Sequence, residues 1–212
     1  MEEFFTVISN HNPKIKIKVA AGHFATESAH RSHYIDIFDL KSNASMAKTA
    51  ALELAAPYLG STLADVIVYM DGTGVLAAYL ADELLQAGPG VVNEGGEIHI
   101  VKPMISADGH YIFHKSVMEM IKNKNVILMA ASMSTGASVN AVHDCLDYYN
   151  CKLAGISAIF AAVPEICGHQ INSLFTINDI PDYRFYNPSE CLMCKTGKKL
   201  DAIINSEGYT KI

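Results

Sequence analysis

The sequence predicts a single-domain α/β protein built on a central, mainly parallel sheet. The chain has 212 residues, half of them hydrophobic and 18% charged, which is enough for one packed core. Strand-like apolar runs alternate with helix-like segments, without an internal repeat. Two strands separated by a helix make a βαβ crossover, which pairs the strands in parallel. We therefore expect residues 1–212 to form one domain.

The elements follow a strand–turn–helix order. Residues 66–70 read as a strand, residues 71–74 as a Gly-containing turn, and residues 75–85 as a helix that stops at Gly88-Pro89-Gly90. The order recurs as a strand at residues 126–129, a turn, a helix through residues 142–149 and a strand at residues 156–160. A helix over residues 47–58 precedes both units.

The remaining segments are predicted from local patterns. Lysines alternate with Ile and Val over residues 14–19, which is typical of a strand with one solvated face. A short strand at residues 98–101 leads into a mobile loop or hairpin. Residues 177–190 read as irregular, and we expect a short helix around residues 200–205.

Charge and cysteine content exclude several classes of function. The formal net charge of −6 gives no general electrostatic reason to bind nucleic acid or an anionic membrane. No apolar run reaches the roughly 18 residues that a membrane span needs, and no segment reads as a secretory signal. Five cysteines, an odd number, favour reduced thiols over a disulfide framework. We expect a cytoplasmic protein.

A loop suited to phosphate follows the strand at residues 126–129. In open parallel sheets, ligands lie beyond the C-terminal ends of strands, where the next helix begins. Here the chain reads Ser134, Thr135, Gly136, Ala137 and Ser138. Backbone N–H groups and hydroxyls can converge on a phosphomonoester, and Gly136 permits close approach. The alternative is a strand-to-helix turn with ordinary N-caps.

Residues 126–138 resemble the signature of the type I phosphoribosyltransferases, which has four apolar residues, two acids, two further residues and then Thr-Thr-Gly-Gly-Ser/Thr. The register matches without a gap. The resemblance implies that family's fold, with helices flanking the sheet and a small hood. It also implies that residues 134–138 hold the 5-phosphate of phosphoribosyl pyrophosphate (PRPP). Ala130 and Ala131 replace the two acids that grip the ribose hydroxyls in the family.

Within this superfamily the chain resembles the orotate phosphoribosyltransferases over nearly its whole length. Residues 24–36 are similar to that group's N-terminal pattern, which covers the base, so the resemblance assigns Phe24, Ser28 and Tyr34 to the base pocket. Residues 161–165 read Ala-Ala-Val-Pro-Glu, where an orotate enzyme usually places an arginine for the substrate carboxylate.

Two further segments resemble parts that contact pyrophosphate in the family. The pyrophosphate loop corresponds to Asp71, Gly72, Thr73 and Gly74. Lys102 stands where the family has Arg-Lys ahead of a flexible catalytic hood, which implies catalytic roles for Lys102 and, in the hood, for His110. The same resemblance makes the N-terminal and 91–115 segments the hood, and residues 186–212 a cysteine-containing extension.

Cysteines and histidines form a second candidate site. Cys191 and Cys194 have the spacing of a zinc knuckle, and Cys167 with His169 would complete four ligands for Zn²⁺. Buried core cysteines are the alternative, and a redox pair is a weaker one. The cluster of His23, His30 and His33 could line the base pocket, bind a metal or hydrogen-bond within a loop.

The function implied by the resemblance is transfer of ribose 5-phosphate from PRPP to an orotate-like nucleobase, with Mg²⁺ bridging the diphosphate and ribose oxygens. The partners would be PRPP or a nucleoside monophosphate, a nucleobase and a second copy of the chain in a homodimer. A non-catalytic binding or regulatory module that kept the phosphate pocket is the main alternative. A different small-molecule enzyme with zinc at Cys191 and Cys194 is the third.

Overall fold

Two six-stranded sheets, a two-stranded hairpin and the surrounding helices make up the computed structural model, which describes residues 3–205 and 208–212. In chain order the strands are β1 Phe5–Ile8, β2 Lys16–Ala25, β3 His30–Asp36, β4 Val66–Tyr69, β5 His99–Val101, β6 Met104–Ile105, β7 Tyr111–Ile112, β8 Asn125–Met133, β9 Lys152–Ala161, β10 Glu165–Ile166, β11 His169–Thr176, β12 Phe185–Tyr186, β13 Ala202–Asn205 and β14 Gly208–Lys211. The helices are α1 Phe38–Ser42, α2 Ala44–Ala55, α3 Gly74–Leu85, α4 Lys115–Ile121, α5 Ala137–Tyr148 and α6 Leu192–Lys195.

The central sheet has the strand order β10-β11-β9-β8-β4-β5. All neighbours in it are parallel except β10 and β11. The predicted α/β class with a mainly parallel sheet is therefore confirmed. Because β4 and β8 run side by side in parallel, the turns that follow them meet at one edge of the sheet.

Apolar side chains cover the central sheet on both faces. One face packs against α2 and α3, and the other against α5. Alternate residues of β8 enter opposite cores, since successive strand side chains point to opposite faces: Ile127 and Met129 belong to the first core, and Val126, Leu128 and Ala130 to the second. Double-sided burial explains why β8 reads as a continuous apolar run.

The second sheet, which we call the outer sheet, joins both ends of the chain. Its order is β12-β3-β2-β13-β14, with β1 also paired to β2. Exposed Lys16 and Lys18 alternate with buried Ile17 and Val19, as the pattern predicts. Residues 91–115, the second segment of the predicted hood, do not join the outer sheet. They supply β5 to the central sheet and form the β6–β7 hairpin beyond it.

The prediction of a helix around residues 200–205 is wrong. That segment is strand β13, which pairs in parallel with β2 at Phe24 and Ala25 and antiparallel with β14. One of its two partners, β2, lies at the other end of the chain, so the spacing of residues 200–205 alone does not reveal the strand. Among the described residues, no helix is long and apolar enough to cross a membrane.

Candidate functional site

A cleft of ≈ 420 Å³ lies between the outer sheet and the edge where β4 and β8 end. Its walls come from β3, α1, the turn after β4, the end of β8, the start of α5, the β6–β7 hairpin and the C-terminal strands. The lining residues are Thr26, Glu27, Ser28, Arg31, Tyr34, Ile35, Ile37, Phe38, Lys41, Asp71, Ile105, Tyr111, Ala131, Ser132, Ser138, Ile204, Asn205 and Gly208. The cleft therefore has the position at which parallel α/β sheets bind ligands.

The predicted phosphate loop connects β8 to α5 at this edge. Gly136 is the residue before α5 and has φ +77°, a left-handed conformation that favours glycine. A Cβ atom at Gly136 would lie 2.7 Å from Cδ1 of Ile166. Ser138 lines the cleft, whereas Ser134 is buried and lies outside its lining. Thr135 Oγ1 accepts a hydrogen bond from the Ala137 N–H over 3.4 Å.

This loop can bind an anion through groups that the fold leaves available. The first-turn N–H groups of a helix have no intrahelical acceptor, and the helix dipole adds partial positive charge there. The hydroxyl of Ser138, which lies on the cleft wall, is a further donor.

The two alanines at the acidic positions of the family have different environments. Ala130 is buried in the core under α5, while Ala131 lies on the wall of the cleft. Only the second position faces the space that a ligand would occupy. The main-chain N–H of Ala131 opposes the rise in the pKa of the Asp71 carboxyl, so this acid lies near the position where the family has an acid and this chain has Ala131.

The predicted pyrophosphate loop lies directly across from the phosphate loop. Asp71 and Gly72 both have positive φ, +52° and +74°, and buried Thr73 donates from Oγ1 to the Met70 carbonyl over 2.7 Å. Gly74 then begins α3. This tight turn directs Asp71 into the cleft.

The charge around Asp71 is mostly positive. Burial raises the pKa of the Asp71 carboxyl above its ordinary value, while Lys41, the Ala131 N–H, Lys102 and Arg31 oppose that rise. Lys41 Nζ also donates to the Asp71 carbonyl over 3.1 Å. Three cations therefore act on one half-buried acid, which is an environment suited to a polyanionic ligand.

Arg31 and Lys41 are functional candidates that the sequence motifs do not reveal. They come from β3 and α1, and neither belongs to a phosphate-binding motif. Arg31 lines the cleft, and its Nε is buried without a hydrogen-bond partner in the described residues. Only the pairing of β3 within the outer sheet places these cations opposite the loops.

The predicted base pocket is brought to the cleft in part. Ser28 and Tyr34 line it, but Phe24 is fully buried behind Tyr34, with ring centroids 6.1 Å apart. Burial, Asp36 and Tyr209 raise the pKa of Tyr34 to about 12, so its hydroxyl is neutral near pH 7. Tyr34 can hydrogen-bond a ligand but cannot supply charge to it.

The two predicted catalytic residues lie in different surroundings. Lys102 follows β5 and is exposed, yet it acts electrostatically on Asp71. His110 is exposed at the tip of the β6–β7 hairpin, and its Nδ1 lies 3.0 Å from an Asp108 carboxylate oxygen. The hairpin lines the cleft through Ile105 and Tyr111 instead.

The predicted metal ligands are divided between two places. Cys191 and Cys194 lie beside His23 and His30. Cys167 lies on the turn between β10 and β11, where its Sγ donates to Asn140 Oδ1 over 3.1 Å, and His169 begins β11.

No protein-family model and no curated protein sequence matches the chain. The solved structures that the chain is similar to include the following three. UMP synthase of Leishmania donovani has a TM-score of 0.53 and 15% identity, covering 90% of this chain but 37% of its own. The adenine phosphoribosyltransferase of Leishmania tarentolae has a TM-score of 0.52 and 13% identity, covering 71% and 80%. The adenine phosphoribosyltransferase of Thermoanaerobacter pseudethanolicus has a TM-score of 0.50 and 16% identity, and the match covers 68% of this chain and 88% of that one. The chain thus has the type I phosphoribosyltransferase fold.

Proposed function

We propose that the cleft binds PRPP and that the protein transfers its ribose 5-phosphate to an orotate-like nucleobase, releasing pyrophosphate. The observation that carries the proposal is the position of Asp71. Its carboxylate belongs to the candidate pyrophosphate loop, lines the same cleft as Ala131 and Ser138, and is under the influence of three cations. A cleft that bound a neutral ligand would not need this concentration of positive charge.

Each part of PRPP has a matching group in the cleft. The 5-phosphate would bind the main-chain N–H groups and hydroxyls of residues 134–138, with Ser138 on the cleft wall. The diphosphate would lie over the turn at Asp71, where Lys41 and Lys102 can neutralise it. The ribose would lie between them, against Ala131.

The residues of the cleft fit a Mg²⁺ ion that is bound mainly to the diphosphate of the substrate. Mg²⁺ commonly binds one or two carboxylates together with substrate phosphates and water. Two acids, Asp71 and Glu27, line the cleft. Bound to the diphosphate, Mg²⁺ supplies charge neutralisation for the leaving group, and Asp71 would hold it.

An acidic acceptor is favoured by Arg31. Arg31 and Tyr34 both belong to β3 and both line the cleft. The Arg31 guanidinium can therefore pair with a carboxylate on the base, such as the one that orotate carries. In the transfer, the bond from ribose C1 to the pyrophosphate oxygen breaks and its electron pair leaves with pyrophosphate. The base nitrogen forms the new bond to C1 and loses its proton to solvent.

A binding module is the second candidate function, and the Ala131 methyl group favours it. A methyl group accepts no hydrogen bond, so the ribose hydroxyls lack the charge-assisted contacts, each of ~1.5 to 3 kcal/mol, that a carboxylate would provide. Phosphate and diphosphate binding would survive this loss while transfer slowed by orders of magnitude.

Calorimetry followed by an assay of pyrophosphate release separates the two candidates. We expect PRPP with Mg²⁺ to bind and pyrophosphate to appear with an acidic base such as orotate but not with adenine. Arg31→Gln should abolish the preference for the acidic base. Binding without release across a panel of bases would establish the module instead, and absence of PRPP binding would contradict both.

A further inference from the structure

Two histidines and two cysteines converge where the outer sheet meets the C-terminal segment. The ligand atoms of His23, His30, Cys191 and Cys194 all lie within 4.8 Å of one another. His23 Nε2 is 3.5 Å from Cys191 Sγ, 3.7 Å from Cys194 Sγ and 3.2 Å from His30 Nδ1. His30 Nδ1 is 3.3 Å from Cys194 Sγ. The edges of a tetrahedron around zinc, drawn from its usual bond lengths, are about 3.3 to 3.8 Å.

The tautomer of His23 is fixed by its second ring nitrogen. Nδ1 lies 2.7 Å from the carbonyl oxygen of Lys198, and a carbonyl can only accept, so Nδ1 carries the proton. Nε2 therefore presents a lone pair to the cluster. A backbone carbonyl that holds the remote N–H in this way is the usual support for a metal-binding histidine.

Two thiol hydrogen bonds can form in this cluster, from Cys191 to His23 Nε2 and from Cys194 to His30 Nδ1, but they do not explain why Cys194 and His30 also face His23 Nε2. The Nε2 atom of His23 has one lone pair, but two thiols and the His30 ring face it. Only one of these groups can use that lone pair as a hydrogen-bond acceptor. Because His23 and Cys191 are fully buried, water cannot complete the set on their side. A single cation at the centre would engage all four groups at once.

The backbone is shaped to aim these side chains. Gly22 and His23 form a β-bulge between the pairs Ala21–His33 and Phe24–Arg31, and bulges commonly redirect a side chain. Cys191 is the residue before the one-turn helix α6, and Cys194 lies within that helix. After it the chain turns back, with the Gly197 N–H donating to the Cys194 carbonyl over 3.0 Å and the Lys198 N–H to the Met193 carbonyl over 2.9 Å.

We infer that His23, His30, Cys191 and Cys194 bind one Zn²⁺ ion tetrahedrally. Two sulfur and two nitrogen donors in this geometry select zinc over the harder divalent cations. Four protein ligands leave no open position, so the ion is structural and takes no part in transfer. It ties the turn between β2 and β3 to the C-terminal segment. Since Thr26 and Ser28 of that turn line the cleft, the ion also fixes one of the cleft walls.

Metal analysis of the purified full-length chain tests the site. We expect one zinc per chain after dialysis, and replacement by Co²⁺ should give the intense d–d bands of a tetrahedral ion with a thiolate charge-transfer band. Metal-free protein titrated with Zn²⁺ against a competing chelator should recover one ion and melt at a higher temperature, because a ligand that binds only the folded state stabilises it. Less than a tenth of an equivalent recovered in that titration would overturn the inference.

Matched variants identify the ligands. Replacing a group that only hydrogen-bonds to a metal ligand typically costs about 10- to 100-fold in metal affinity, so Cys191→Ser and His23→Gln, which remove a ligand, should cost at least about 100-fold. His30→Cys keeps four donors and should retain zinc. Cys167→Ser and His169→Gln alter the same residue types outside the cluster and should leave zinc binding unchanged. Zinc lost from these two variants, or kept by the first two, would contradict the assignment.

Discussion

The ammonium group of Lys41 donates a hydrogen bond to the main-chain carbonyl of Asp71 over 3.1 Å. This contact links α1 to the turn that follows β4. It supports a non-glycine residue with φ +52°, a conformation that costs of order 1 kcal/mol or more. It also keeps a positive charge at the point where the proposed diphosphate would lie. The same contact thus serves the local structure and the proposed binding.

Replacing Lys41 should therefore weaken diphosphate binding. Lys41→Gln removes a charge-assisted contact of ~1.5 to 3 kcal/mol, so we expect the Kd for PRPP with Mg²⁺ to rise roughly 10- to 150-fold. Calorimetry measures the change. Lys48→Gln, an exposed lysine on α2 outside the cleft, should leave the Kd unaltered, and equal effects of the two substitutions would contradict a local role for Lys41.

Binding of sulfate without metal should depend on the protonation of Asp71. Burial raises its pKa, so the carboxylate becomes neutral at a higher pH than an ordinary aspartate does. Neutralisation removes repulsion, and sulfate should bind more tightly as the pH falls through that pKa. Asp71→Asn should bind sulfate more tightly than the wild type at pH 7 and lose this pH response. With Mg²⁺ and PRPP the same variant should bind more weakly, because the metal loses its carboxylate.

A carboxylate restored at position 131 should strengthen magnesium-dependent binding. Ala131 lines the cleft, so Ala131→Asp can reach the ribose hydroxyls, and we expect PRPP to bind at least ~10-fold more tightly. Ala130→Asp places the same side chain in the core, where an unpaired charge is costly, and should chiefly lower the melting temperature. If Ala131→Asp leaves affinity for PRPP unchanged, the register of the loop is wrong.

Replacing Gly136 should destabilise the fold for both steric and conformational reasons. Gly136→Ala adds strain at φ +77° and places Cβ 2.7 Å from Ile166, and overpacking of this kind costs about 1–3 kcal/mol. Gly168→Ala provides the matched control, since Gly168 has φ +73° with no atom within 4 Å of an added Cβ. In urea denaturation, Gly136→Ala should lower the free energy of unfolding more than Gly168→Ala does. Addition of Ile166→Val, which removes Cδ1, should recover part of it.

The central sheet could be predicted from sequence because its signals are local. Residues 66–70 and 126–129 are short apolar runs, and they appear in β4 and β8, although β8 continues to Met133 before its Gly-containing turn. Full burial in a parallel sheet gives such runs directly. The two candidate anion loops could be located for the same reason, since a loop after a parallel strand lies at the edge where such sheets bind ligands.

The outer sheet and its cations could not be predicted in this way. Strand β13 depends on pairing with β2, and the alternative helix over residues 200–205 satisfies the local spacing equally well. Arg31 and Lys41 become site residues only when β3 and α1 are placed against the loops. The histidine partners of Cys191 and Cys194 lie more than 160 residues earlier, so spacing favoured the nearer Cys167 and His169.

The central claim is that the turn entering α5 binds a phosphoryl group. A crystal structure of the protein soaked with ribose 5-phosphate tests it most directly. We predict phosphate oxygens within hydrogen-bond distance of the main-chain N–H groups of residues 135–138, with the ribose against Ala131. A fully occupied ligand elsewhere in the cleft, or none at saturating concentration, would contradict the claim.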